Sequence, residues 1–189
     1  MRTFIAIQLE NHVHQQIACM QENLKKADAD VKWVKPSNIH ITLRFLGDTK
    51  PKKIKAISES LPSFLEGISP FEIDITHLGA FPKIQRPRVL WAGIDKNAAQ
   101  LMELAASIEN GLCRLGFPKE ERKFSGHITI GRVRSAKNIT PLIEAVQGYQ
   151  FPSGITQTIQ HVIFFQSTLT SQGPIYEEIK KVVFEIPIL

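Results

Sequence analysis

Apolar and polar positions along this chain switch between two periods, two and 3.6. Residues 3–9 read as a strand, after which Asn11 is placed as an N-cap and about 12–27 reads as a helix. Trp33-Val34 lies in a short extended piece that Pro36 ends. Residues 39–46, Ile-His-Ile-Thr-Leu-Arg-Phe-Leu, form a strand candidate closed by Gly47-Asp48. Pro51 suits the first turn of a helix over about 51–65. Two strands follow at 71–77 and 88–94, with 79–87, rich in proline and basic residues, expected to join them. Leu101, Leu104, Ala105, Ile108 and Leu112 recur at helical spacing within about 97–115, and Gly116 follows as a C-cap glycine would. A charged loop at 118–123 leads to a strand at 127–133 and a short helix near 139–147. Two final strands, about 156–168 and 175–186, are linked by 171–174 as in a hairpin.

This mixed order predicts an α+β fold rather than a parallel doubly wound sheet. His40-Ile-Thr-Leu and His127-Ile-Thr-Ile lie about half the chain apart, each on a predicted strand and each near a helix. That spacing suggests a duplicated module with two lobes facing each other across a groove.

Strand side chains alternate faces, so His40 and Thr42 point one way while Ile41 and Leu43 point the other. The same holds for His127 and Thr129 against Ile128 and Ile130. Each motif then gives two aliphatics to its core and an imidazole and a hydroxyl to the groove. Such a set suits phosphoester chemistry. A neutral imidazole takes a proton from the attacking group, an imidazolium gives one to the leaving oxygen, and hydroxyls donate to non-bridging oxygens. One H-x-T is a weak signal, whereas two copies with apolar residues at the alternate positions are a strong one. No H-E-x-x-H, P-loop or aspartate-rich metal motif occurs in the sequence.

Composition narrows the partner and the compartment. The net charge of +5 and a pI near 9.3 favour an anionic partner, with nucleic acid the leading candidate. The two cysteines, Cys19 and Cys113, are far apart, which disfavours a disulfide framework and a zinc knuckle. The first residues are too short and interrupted for a signal peptide, and no run approaches the length of a membrane span. A reducing cytoplasm is the expected location.

The paired motifs are similar to the signature of the 2H phosphoesterase superfamily. Within it, the chain resembles the bacterial and archaeal RNA 2′,3′-cyclic phosphodiesterases, once named 2′-5′ RNA ligases. The resemblance runs through Arg2-Thr-Phe-Ile-Ala-Ile, His40-Ile-Thr-Leu-Arg-Phe-Leu-Gly47 and Gly79-Ala-Phe-Pro82. It continues in Arg88-Val-Leu-Trp-Ala-Gly93, the second motif with Arg132, and Gly173-Pro-Ile-Tyr176. It implies one bilobal domain over 1–189, each lobe an antiparallel sheet with helices on its outer face and the site in the cleft between. It also implies hydrolysis of a terminal 2′,3′-cyclic phosphate on RNA to a 2′-phosphate, with His40 as proton donor and His127 as proton acceptor. No metal and no cofactor are implied. The expected partners are RNA ends or nucleotides bearing the cyclic phosphate, no membrane is expected, and the chain is expected to be a monomer. The alternatives are a phosphodiesterase or reversible ligase for 2′-5′ linked RNA, and a non-catalytic RNA- or nucleotide-binding module.

Other residues enter with two readings each. Arg44 shares parity with His40 and Thr42, so on an unbroken strand it reaches the groove and a phosphate; the alternative is a solvated strand-end arginine. Arg132 has the wrong parity unless Gly131 permits a bulge that re-aims it toward substrate. Phe124 is a base-stacking candidate or a core residue. Gly126 stands where the family often has proline. Trp33, Phe45 and Trp91 are expected in the core. His12 and His14 do not share a helix face, and His77 and His161 have no H-x-T partner.

Overall fold

The computed structural model describes residues 1–152, 155–171 and 173–185. Its strands are β1 (Arg2–Gln8), β2 (Val31–Trp33), β3 (His40–Asp48), β4 (Phe71–Lys83), β5 (Arg86–Ile94), β6 (His127–Val133), β7 (Thr156–Ile159), β8 (His161–Thr170) and β9 (Gly173–Val183). Its helices are α1 (Asn11–Lys25), α2 (Pro51–Phe64), α3 (Ala98–Arg114) and α4 (Ile139–Gln147), with a 3-10 turn at Pro36–Asn38. The α+β expectation holds.

All strand pairs are antiparallel and follow one path, β7-β4-β5-β6-β3-β1-β8-β9, with β2 added on β6. Between β3 and β6 a single residue pair, Ile41 with Ile128, carries the junction. The path therefore falls into a β9-β8-β1-β3 quartet and a β6-β5-β4-β7 quartet, with one His-x-Thr at the inner edge of each. One helical pair, α1 and α4, packs together and reaches β4; the other, α2 and α3, covers β3 and β9. Val13, Ile17, Met20 and Leu24 form the buried stripe of α1, and the five residues anticipated on α3 are all buried.

Three expectations are corrected. Asn11 is the first helical residue rather than the cap; Glu10 holds that position, with no side-chain capping bond. The stretch 79–87 is mostly strand, because Pro82 and Pro87 oppose each other beside a register shift, where no ladder partner waits for the N–H that proline lacks. The stretch 156–168 is two strands broken at Gln160, with β7 on β4 and β8 on β1. Gln172 of the expected hairpin link, and the last residue of the strand expected to end at 186, lie outside the described residues.

That break reveals the sheet's shape. Successive Cα atoms are about 3.8 Å apart, so the single residue Gln160 must carry the chain from the β4 edge to the side of β1. The sheet curls until those edges approach. Buried Gln157 ties them: its Oε1 accepts from Glu10 N at 2.9 Å and its Nε2 donates to Gln8 O at 2.9 Å.

Candidate active site

The β3–β6 junction sets the register of the two motifs. With Ile41 opposite Ile128 on antiparallel strands, the flanking positions put His40 across from Thr129 and Thr42 across from His127. Ile41 and Ile128 are fully buried on the core face. The two imidazoles and two hydroxyls share the other face and line one cavity of about 510 Å³.

Each imidazole is fixed by its own chain. His40 Nδ1 lies 2.9 Å from Asn38 O, and His127 Nδ1 lies 2.7 Å from Ser125 O. A carbonyl only accepts, so Nδ1 carries the proton in both rings and Nε2 is left for the groove. Asn38 is held in turn, donating from Nδ2 to Pro174 O at 2.8 Å. His40 packs against Phe4, with ring centroids 4.9 Å apart, and edge-on against Tyr176 at 5.3 Å. Burial pushes the His40 pKa below its ordinary value, partly offset by the Asn38 carbonyl. Burial raises the Tyr176 phenol, against the opposing pull of Arg132 and Arg2.

A bulge follows each motif. Across β1, Thr42 pairs with Ala6 and Arg44 with Ile5, so Leu43 is the extra residue. Across β5, Thr129 pairs with Trp91 and Gly131 with Leu90, so Ile130 is the extra residue. Both bulges reverse parity, and the third residue after each threonine reaches the groove: Phe45 in one quartet, Arg132 in the other. The bulge envisaged at Gly131 thus falls one residue earlier and turns Arg132 inward. Gly131 allows β2 to lie close, since a Cβ there would stand 2.8 Å from Val31 Cγ1. The fully buried Gln21 of α1 secures the bulge, donating to Ile130 O at 2.8 Å and to Val34 O at 2.9 Å.

The same logic removes Arg44 from the groove. Its parity argument assumed an unbroken strand, and the Leu43 bulge turns it away. Its Nε stands 2.8 Å from Glu109 Oε2, its Nη1 2.6 Å from Glu120 Oε2, and its Nη2 donates to Pro118 O at 2.7 Å. Arg44 thereby fastens the 118–123 loop to α3. Phe124 packs against the core and is not among the groove residues. Of the three rings expected in the core, Trp33 packs against it and also lines the groove, Trp91 is half-buried outside it, and Phe45 lines the groove, 48% exposed with the Arg2 guanidinium 5.3 Å from its ring centroid. Sequence reasoning also passed over Arg2, Lys32, Lys35, Asn38 and Tyr176 as groove residues. Arg2 and Tyr176 lay within the segments that carried the family resemblance; Lys32 and Lys35 had no signal beyond charge, and Asn38 had none. Among the described residues lining the groove, four are cationic and none is a carboxylate, so the site attracts an anion.

Burial lowers the pKa of His14 and His161 as it does that of His40, with Lys181 also contributing at His161. Their folded values lie below the unfolded value of about 6.5. As pH falls, the unfolded chain binds these protons first, so their stability contribution is full above about 6.5 and is lost as pH drops through the folded values. The denaturant midpoint at pH 5 should lie below that at pH 7.5; equal midpoints would contradict this account.

The chain matches the model of the LigT like Phosphoesterase family over residues 7–91 and again over 93–176. An RNA 2′,3′-cyclic phosphodiesterase of Methanothermobacter thermautotrophicus is 34% identical over 179 residues, covering 95% of this chain and 96% of that protein. Proteins of the same name from Methanocaldococcus jannaschii and Thermotoga maritima are each 36% identical, the first covering 96% of this chain and 99% of its own length, the second 98% and 96%. Among solved structures, TT0787 of Thermus thermophilus aligns with a TM-score of 0.80 at 22% identity, covering 97% of this chain and 98% of that one. Apo LigT of Escherichia coli aligns at 0.79 and 24%, covering 97% and 96%. These two likenesses bear on the fold. No helix among the described residues is long and apolar enough to cross a membrane.

Proposed function

This chain belongs to the LigT like phosphoesterases, and from that premise we propose that it hydrolyses terminal 2′,3′-cyclic phosphates on RNA to 2′-phosphomonoesters. The observation that carries this reading is the β3–β6 register, which sets two imidazoles and two hydroxyls on one face of a cationic groove. The sequence similarity to three cyclic phosphodiesterases supplies the substrate class.

His127 Nε2 takes a proton from water as its oxygen attacks phosphorus. The bond from phosphorus to the 3′ oxygen breaks, and that oxygen receives the proton on His40 Nε2. Thr42 and Thr129 donate to the non-bridging oxygens, and Arg132 balances the charge that grows there. The turnover leaves His127 protonated and His40 neutral, and exchange with solvent resets both. Burial disfavours the His40 imidazolium in the empty groove, and the bound phosphate anion favours it. The two quartets act as two lobes of one domain spanning 1–189, each supplying one motif. The setting is a reducing cytoplasm, where Cys19 and Cys113 stay free thiols, and the working unit is a monomer.

Nothing in this proton path calls for a metal. Turnover of an oligonucleotide 2′,3′-cyclic phosphate should persist in excess EDTA and yield the 2′-phosphate. Loss of activity that added divalent metal restores, or a 3′-phosphate product, would overturn the mechanism.

A further inference from the structure

The groove face does not end at His127. On β4, His77 pairs with Gly93 and Ile75 with Ile94, so Thr76 is an extra residue there. Before it, Phe71, Ile73 and Ile75 face the core; after it, His77, Gly79 and Phe81 face outward. Gly93 also pairs with His127, and Trp91 with Thr129. Cross-strand partners share a face, so His77, Phe81 and Trp91 lie on the same side of the sheet as the second motif.

Both glycines in this patch are covered by rings. A Cβ on Gly79 would stand 2.3 Å from the Trp91 indole, and one on Gly93 would stand 2.2 Å from the His77 ring. The rings lie low on the sheet and form a continuous surface. Trp91 is 5.2 Å from Phe81 and 5.6 Å from His77 between centroids, and Phe81 meets His127 edge-on at 5.1 Å. Phe81 is 36% exposed and the His77 side chain 46%. Arg86 and Arg88 are exposed on the same hairpin. Aromatic rings on the open face of a sheet suit the stacking of unpaired bases, and the Asp95 carboxylate, 3.5 Å from His77 Nδ1, holds the imidazole of this patch.

We propose that Phe81, Trp91 and His77 form a stacking platform for a second nucleobase, that of the nucleotide adjoining the one whose cyclic phosphate lies between His40 and His127. This rests on reading the groove as an RNA-end phosphodiesterase site. The cavity itself, bounded by Phe45, Trp33 and Tyr176, takes the terminal nucleotide. The platform, outside that cavity and beyond His127, takes its neighbour. The enzyme therefore distinguishes an RNA end from a free cyclic mononucleotide.

The test compares kcat/KM for a mononucleoside 2′,3′-cyclic phosphate with that for a trinucleotide ending in the same group. The wild-type protein should prefer the trinucleotide. Phe81→Ala should erase about tenfold of that preference, the scale of one lost base stack, and Phe81→Tyr should restore most of it. Absence of a preference in the wild type, or equal losses on both substrates in Phe81→Ala, would overturn the platform; equal losses would mark Phe81 as packing for His127. Should neither substrate turn over, the phosphodiesterase reading fails by itself. Anisotropy with a labelled 3′-phosphorylated trinucleotide then decides the platform: weaker binding by Phe81→Ala supports it, and unchanged binding refutes it.

Discussion

Replacing either His40 or His127 by alanine is expected to lower kcat on a 2′,3′-cyclic phosphate by about 10²–10⁴-fold, the usual contribution of one positioned acid or base. The two rings are held alike, each Nδ1 on the carbonyl two residues earlier, so the losses should be of similar size. The fold should survive, since both imidazoles face the groove rather than the core. The single variants also separate the roles, which a bell-shaped profile of the intact enzyme does not. In His127→Ala only His40 titrates in the scheme. As proton donor, it should make the residual rate fall as pH rises through its depressed pKa. A residual rate that rises with pH would exchange the two assignments, and a variant of either histidine with full activity would remove the two-histidine mechanism.

The second large effect concerns the junction. Ile41→Ala and Ile128→Ala should each cost about 2–5 kcal/mol of stability, as large-to-small changes at fully buried positions do. A comparable change elsewhere in the core, Ile73→Ala on β4, should cost a similar amount. The junction variants should differ from it in activity. Ile41 and Ile128 carry the pairing that faces His40 to Thr129 and Thr42 to His127, so their loss should lower kcat well beyond the Ile73 variant under conditions where all three are folded. Denaturant titration and steady-state kinetics on the three proteins check this. Equal kcat values would mean that the register is kept by the flanking elements instead.

Much of this architecture was legible from periodicity. The strand at 127–133 and the helix at 139–147 end where the pattern places them, because apolar spacing and turn residues agree there. The two motifs were legible because the aliphatics beside each histidine mark the buried face. The bulges at Leu43, Ile130 and Thr76 were not legible in this way. A bulge is a count of residues against a partner strand, and a single strand's pattern does not contain its partner's count. Arg44 and Arg132 show the consequence: parity on an unbroken strand assigned Arg44 to the groove and the Leu43 bulge takes it away, whereas Arg132 reaches the groove only through a bulge, which Gly131 had suggested and which falls at Ile130. Gln160 was hidden for a related reason. No glycine or proline interrupts 156–168, and only the change of neighbour from β4 to β1 divides it.

The twin bulges also give the site a head and a tail. Both halves carry the same imidazole and hydroxyl, which alone would let a phosphodiester enter either way round. The positions that the bulges aim inward carry unlike side chains, an aromatic ring at Phe45 and a guanidinium at Arg132. A base packed on the Phe45 ring, which the Arg2 guanidinium overlies, and a phosphate held at Arg132 should fix a ligand in a single sense. On the reading proposed for this groove, the sense in which substrate lies should then depend on two residues that take no part in moving protons, and Phe45→Arg combined with Arg132→Phe should weaken that preference.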